Sequence, residues 1–133
     1  MSQENVELVR KSIEAWNQRD RETLMSYTTP DVVWEAGGPA AVEQPVYSGR
    51  AELARGTEAL WETWEEFRLE ETEVRDLGDS VLWMGRMDLR GGASHIELDQ
   101  EFAIRFSVRE GEIARGQAFL SSHEALKAAG LSE

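Results

Sequence analysis

Cysteine is absent from this chain of 133 residues, and histidine occurs only twice. The first absence removes disulfides, thiol catalysis and thiolate metal sites together. The second leaves too few imidazoles for a metal centre, so no metal and no cofactor are expected. Positive charge is also short, with 14 Lys and Arg against 26 Asp and Glu and a formal net charge of −12. A surface of that sign repels phosphate backbones and anionic lipid, which argues against nucleic-acid and membrane-surface partners. No apolar run approaches membrane-spanning length. The opening Met1-Ser2-Gln3-Glu4-Asn5 has neither the basic start nor the apolar stretch of a secretory signal. The expected location is cytoplasmic.

What the chain does have is large apolar side chains: five Trp, four Phe and two Tyr. At this length they suit a single domain, residues 1–133, with a core of its own. Val6, Val9, Ile13 and Trp16 recur at helical spacing and predict a first helix to about Asp20, with Ser2 or Asn5 as its cap. Asp20 then caps a short second helix through Leu24, Met25 and Tyr27, closed by Pro30. Residues 31–36 are β-branched and aromatic, a strand. Residues 37–45 form a Gly/Pro/Ala loop long enough for a lid or rim. A third helix is expected over residues 50–66. The remainder reads as long strands turning at Gly78-Asp79, Gly91-Gly92 and Glu110-Gly111, followed by a terminal helix over residues 123–129 stopped by Gly130. Helices first and an antiparallel meander after them is the α+β class.

Residues 99–120 carry the clearest pattern. Phe102, Ile104, Phe106 and Val108 alternate with Glu101, Ala103, Arg105 and Ser107, the period of a two-faced strand. A two-residue loop at Glu110-Gly111 pairs Ser107 with Ala114, Arg105 with Gly116 and Ala103 with Ala118. One face is then apolar, while the other sets small side chains beside isolated charges. That second face is either a cavity wall or an ordinary half-exposed sheet. A two-residue loop at Gly91-Gly92 pairs Asp88 with His95 and Arg86 with Glu97. By parity, Arg86, Asp88, His95, Glu97, Glu101 and Arg105 all join that same polar face, although a slip of one residue would reverse it.

Several motifs in order resemble the SnoaL-like domains of the nuclear transport factor 2-like superfamily. They are Trp16-Asn17 before Asp20, Pro30-Asp31-Val32-Val33-Trp34, Tyr47-Ser48-Gly49-Arg50 and Leu82-Trp83-Met84-Gly85-Arg86. The Glu110-Gly111-Glu112-Ile113 hairpin and the closing residues 124–131 complete the set. The resemblance implies a cone-shaped, strongly curved, mainly antiparallel sheet wrapped by N-terminal helices around a central pocket. It also implies a homodimer through the outer sheet face, which would bury Phe102, Ile104, Phe106 and Phe119 with Trp83. Function does not follow from such a fold. Arg86-Met87-Asp88 resembles the Arg-x-Asp pair of limonene epoxide hydrolase, in which the Asp handles a proton and the Arg holds it. The other acids of the hydrolase and isomerase members would fall at Ala36, Ala103 and Ala118, and none is preserved.

Asp88 beside His95 is the best acid–base pair, with Arg86 holding a carboxylate or steadying a developing oxyanion. The competing view is a salt-bridge ladder with no chemistry. Trp34, Tyr27, Trp16, Met84, Glu97, Glu101, Arg105 and Leu120 are the expected ligand contacts, Trp34 because it borders the loop. Two functions stay open: a cofactor-free isomerase, cyclase, dehydratase or hydrolase acting on a small, largely apolar molecule, and a non-catalytic ligand-binding or dimerisation module.

Overall fold

The expected helix and strand signals are met in order, with boundaries shifted where tertiary contacts intervene. The computed structural model describes residues 2–37, 44–91 and 96–131. Helix α1 (Ser2–Asn17) and helix α2 (Arg21–Ser26) lead into strands β1 (Thr28–Glu35) and β2 (Val46–Ser48). Helix α3 (Arg50–Thr63) precedes strands β3 (Trp64–Asp76), β4 (Ser80–Gly91), β5 (Glu97–Arg109) and β6 (Glu112–Phe119), and helix α4 (Ser122–Ala128) ends the described chain. Asp20 caps α2 as expected, its carboxylate accepting from the Thr23 N–H at 3.2 Å. Helix α3 stops three residues early, because Trp64 is already extended and enters β3. Among the described residues no helix is long and apolar enough to cross a membrane.

The six strands lie in the order β2-β1-β6-β5-β4-β3, antiparallel except for the β1–β6 pair, and the sheet is not closed. Helix α3 nevertheless touches β1 and β2 at one end and β3 at the other. One helix reaches both edges only if the sheet curls around it. Bulges assist the curl, since an extra residue bends its strand: register shifts fall between Glu71 and Glu73 and between Ser107 and Val108.

Helix α1 is tied to the free edge of β3 by its own C-terminal side chains. The Asn17 amide donates to the Leu69 carbonyl at 2.9 Å and accepts from the Leu69 N–H at 2.8 Å, as a neighbouring strand would. The Trp16 indole N–H donates to the Phe67 carbonyl at 3.0 Å. Arg19 donates to the carbonyls of Trp61, Trp64 and Glu65 at 2.8, 2.8 and 2.9 Å. Its backbone sits at φ 56°, the left-handed region, where it closes α1 with Arg19 N–H to Trp16 O and Asp20 N–H to Ala15 O, both 3.0 Å. Glycine normally fills that position because a Cβ is penalised there. Here the three carbonyl contacts offset the penalty.

Two registers differ from expectation, with different consequences. In the β4–β5 pair Arg90 faces Glu97 and Asp88 faces Asp99, and the Gly91 N–H donates to Ile96 O at 2.7 Å. Gly91 therefore continues the strand rather than turning; residues 92–95, Gly92 and His95 among them, lie outside the described residues. The offset is an even number, so Arg86, Asp88, Glu101 and Arg105 still share a face. In the β5–β6 pair the turn is as expected: Arg109 faces Glu112, and Glu110 and Gly111 have φ of 52° and 80°. The bulge then moves the register by one, so Gly116 faces Phe106 and Ala118 faces Ile104.

That single-residue change sets Gly116 under the Trp34 ring. A Cβ built on Gly116 would lie 2.1 Å from the ring. Phe102, Ile104, Phe106 and Trp83, expected at a dimer interface, instead form the core with Val9 and Ile13 of α1. Of that set only Phe119 lies on the outer face, where it packs with α4 over Leu82, Met84 and Ala103. The inversion has a plain cause: α1 to α3 bring apolar stripes to the sheet, and the apolar sheet face is the one that gains by burial.

Arg19→Ala is expected to lower stability in urea unfolding by about 1–3 kcal/mol through the lost carbonyl contacts. Arg19→Gly loses the same contacts but removes the left-handed penalty, so it should be the more stable of the two by about 1 kcal/mol. Equal stabilities would contradict the account. Gly116→Ala should cost about 1–3 kcal/mol by displacing the ring. In a Trp34→Ala background the same change should be neutral or better, a coupling that a double-mutant cycle reads directly.

Candidate functional site: a hydrophobic cavity beneath the N-terminal helices

Between the helices and the concave sheet face lies a cavity of about 90 Å³. The sheet supplies its floor with Phe67, Leu69, Phe102, Ile104, Phe106 and Ile113, the inward members of strands that alternate in and out. Helix α1 contributes Ser12, Ile13 and Trp16, spaced to share one face, and α3 contributes Leu53, Thr57 and Leu60 in the same way. Leu24 and Met25 of α2 and Tyr47 of β2 close the side near β1.

Two tryptophans shape the wall. Trp34 meets the Phe106 ring edge-on, with centroids 5.8 Å apart and planes at 66°. Trp16 stands edge-on to Phe67 at 5.1 Å and tilted against Trp61 at 5.3 Å. Glycines make room: Gly37 lies against Ala118, and a Cβ on Gly56 would fall 2.4 Å from the Tyr47 ring. The nearby cation is occupied, since Arg50 hydrogen bonds to both the carbonyl and the hydroxyl of Thr28. Among the described lining residues there is no carboxylate, imidazole, lysine or arginine. Nor do the described residues bring three or more His, Asp and Glu together as metal ligands. A charged guest would lose its hydration here and find no counter-charge, at a cost of several kcal/mol.

Of the residues expected from sequence, Trp16 and Trp34 line the cavity. Tyr27 packs behind it against both core clusters, with its carbonyl accepting from the Ile113 N–H at 2.8 Å. The polar set lies elsewhere, and its placement is corrected. Arg86 and Asp88 are exposed on the convex face, and Arg86 pairs with Asp99 at 2.6 Å. Glu101 and Arg105 are half-buried on that same face, away from the cavity. Glu97 is exposed where β5 begins, and Leu120 is 42% exposed just beyond β6. Met84 is buried against Ala125 and Leu126 of α4. His95 lies outside the described residues. The reason is common to all: Arg86 and Asp88 alternate with Trp83, Met87 and Leu89, which fill the core, so the charges must point outward.

Ser12, Thr57 and Tyr47 line the cavity without any mark in the sequence pattern, and Phe102, Ile104 and Phe106, expected at an interface, form its floor. Leu53, Thr57 and Leu60 follow the helical spacing that was visible, but a threonine in the stripe carries no hydrophobic signal.

The profile of the SnoaL-like domain matches residues 9–116. Three solved structures illustrate the likeness in fold. TerC co-crystallised with polyporic acid aligns with TM-score 0.78 at 19% identity, over 93% of this chain and 96% of that one. A proposed polyketide cyclase from Xanthomonas campestris pv. campestris aligns with TM-score 0.79 at 20% identity, over 95% and 96%. A protein with a ketosteroid isomerase-like fold from Catenulispora acidiphila, in complex with trimethylamine, aligns with TM-score 0.74 at 18% identity, over 94% and 93%. No curated protein sequence matches the chain. With the curled sheet, the helices roofing its concave face and a family match over most of its length, this chain belongs to the SnoaL-like domain family and has the nuclear transport factor 2-like fold.

Proposed function

We propose that this chain binds a small, uncharged, largely apolar organic molecule in the cavity and carries out no acid–base chemistry there. The observation that carries the reading is the lining itself: aromatic, aliphatic and hydroxyl side chains around about 90 Å³, with no titratable acid or base among the described members that would ionise near neutral pH. Relatives of the same fold crystallised with polyporic acid and with trimethylamine support a small-molecule role. The size points to one ring or a short branched chain. Burying roughly seven carbons at about 0.8 kcal/mol each gives about 5–6 kcal/mol, a Kd on the order of 0.1 mM for a molecule such as toluene.

Titration with toluene, followed by calorimetry and by the emission of Trp16 and Trp34, should show saturable binding. Leu60→Trp, which fills the cavity from a half-buried position, should weaken it at least about tenfold. Asp88→Asn and Arg86→Ala should change the affinity less than about twofold. Failure to saturate, or equal loss in Asp88→Asn and Leu60→Trp, would overturn the reading. In the second case the acid–base proposal for Asp88, Arg86 and His95 would take its place.

Association of two chains through the convex sheet face is the accompanying proposal. Arg105 supports it: its Nε is enclosed without a hydrogen-bond partner. Val46, 43% exposed, lies in the same cross-strand row through Glu35 and Gln117. Light scattering should give twice the chain mass, and Arg105→Glu should shift the population to single chains; a wild-type monomer at about 0.1 mM would contradict the interface.

A further inference from the structure

Two cavity-lining residues carry hydroxyls that form no side-chain hydrogen bond within the described residues. Ser12 and Thr57 are buried, at 6% and 4% exposure, and both line the cavity. A helical serine or threonine usually turns its hydroxyl back onto the carbonyl one turn earlier. Thr63 does this at the end of α3, donating to Ala59 O at 2.9 Å. Thr28, the third aliphatic hydroxyl in the lining, is also engaged, donating to Met25 O at 2.7 Å and accepting from Arg50 Nε at 3.3 Å. Neither Ser12 nor Thr57 forms a side-chain hydrogen bond within the described residues, although each has a carbonyl one turn back. Two cavity-lining hydroxyls without a partner among the described residues are open to bond with whatever occupies the space.

We propose that Ser12 and Thr57 form the polar anchor of the cavity and that its ligand is a neutral molecule of about one ring carrying a single carbonyl or hydroxyl oxygen. The proposal rests on the binding reading above and narrows it. A hydroxyl donates one hydrogen bond and accepts others, so the pair meets a ketone by donation and an alcohol or phenol by either sense. Carboxylates, phosphates and ammonium groups are disfavoured, because the described lining offers no opposite charge. A pure hydrocarbon would fill the space but leave both hydroxyls desolvated and unmatched. The two residues come from different helices, α1 and α3. An oxygen held by both would fix the orientation of a guest that apolar contacts alone leave free to tumble.

The test compares cyclohexanone with methylenecyclohexane, a pair of nearly the same shape that differs at the oxygen. Both are titrated calorimetrically into the wild type and into the Ser12→Ala/Thr57→Val variant, which removes the hydroxyls with little change in volume. The ratio of ketone to hydrocarbon affinity should fall about five- to tenfold in the variant, the worth of one or two neutral hydrogen bonds. Hydrocarbon affinity should hold or rise, which also shows that the variant is folded. Thr57→Ser, which keeps the hydroxyl, should keep the ratio. If both guests bind the wild type and the ratio is the same in the variant, the anchor is refuted while the cavity reading stands. If neither guest binds the wild type, both fall.

Discussion

The end of α1 does for β3 what a seventh strand would do. A sheet edge exposes a row of unpaired N–H and C=O groups, and β3 is such an edge. Trp16 and Asn17 occupy that row with indole and amide groups at Phe67 and Leu69. Arg19, just past the helix, bonds to the carbonyls of Trp64 and Glu65 in β3 and of Trp61 at the end of α3. These bonds have a direction, which apolar packing lacks. They place α1 over the concave face at one angle and leave a gap between Ser12 and Ile13 above and Phe102, Ile104 and Phe106 below. Without them the helix could settle on the same apolar residues in several ways, and a cavity of fixed shape would not persist.

The second constraint is the extra residue in β6. A two-residue turn aligns β5 and β6 so that Arg105 would lie opposite Gly116; the bulge replaces Gly116 with Gln117 at that position. One residue thus exchanges what each face of β6 presents. Gly116 and Ala118 go to the inside, where Trp34 needs a neighbour with no side chain. Arg105 is left outside beside a polar partner. The position of the tryptophan in the cavity wall depends on this exchange more than on any contact of its own.

For function, the separation of polar and apolar residues matters more than the fold name. The same curled sheet can carry acids inside it or none, and here the charged residues of β4 and β5 point away from the hollow. Arg86 with Asp99 and Arg90 with Glu66 are exposed pairs on the outer surface that add little stability. The hollow is left to apolar side chains and three hydroxyls besides the Tyr47 phenol. The lining thus differs in kind from the charged convex face.

Local pattern alone determined a good deal. The alternation of Phe102, Ile104 and Phe106 with Ala103, Arg105 and Ser107 set the strand and its two faces, because side-chain direction in a strand has a period of two. Asp20, Gly78 and Glu110-Gly111 set the cap and the turns, because each acts over three or four residues. The β4–β5 register differs from the expected one by an even number of residues, so Arg86 and Arg105 stay on one face. Only the tertiary structure decided which face was the inside. Periodicity separates two faces without saying which one the helices will cover, and that choice follows from the apolar area α1, α2 and α3 bring to the sheet. The bulge in β6 and the bonding of Asn17 to Leu69 were likewise beyond reach, since both join groups through space whose neighbours in sequence carry no mark of the contact.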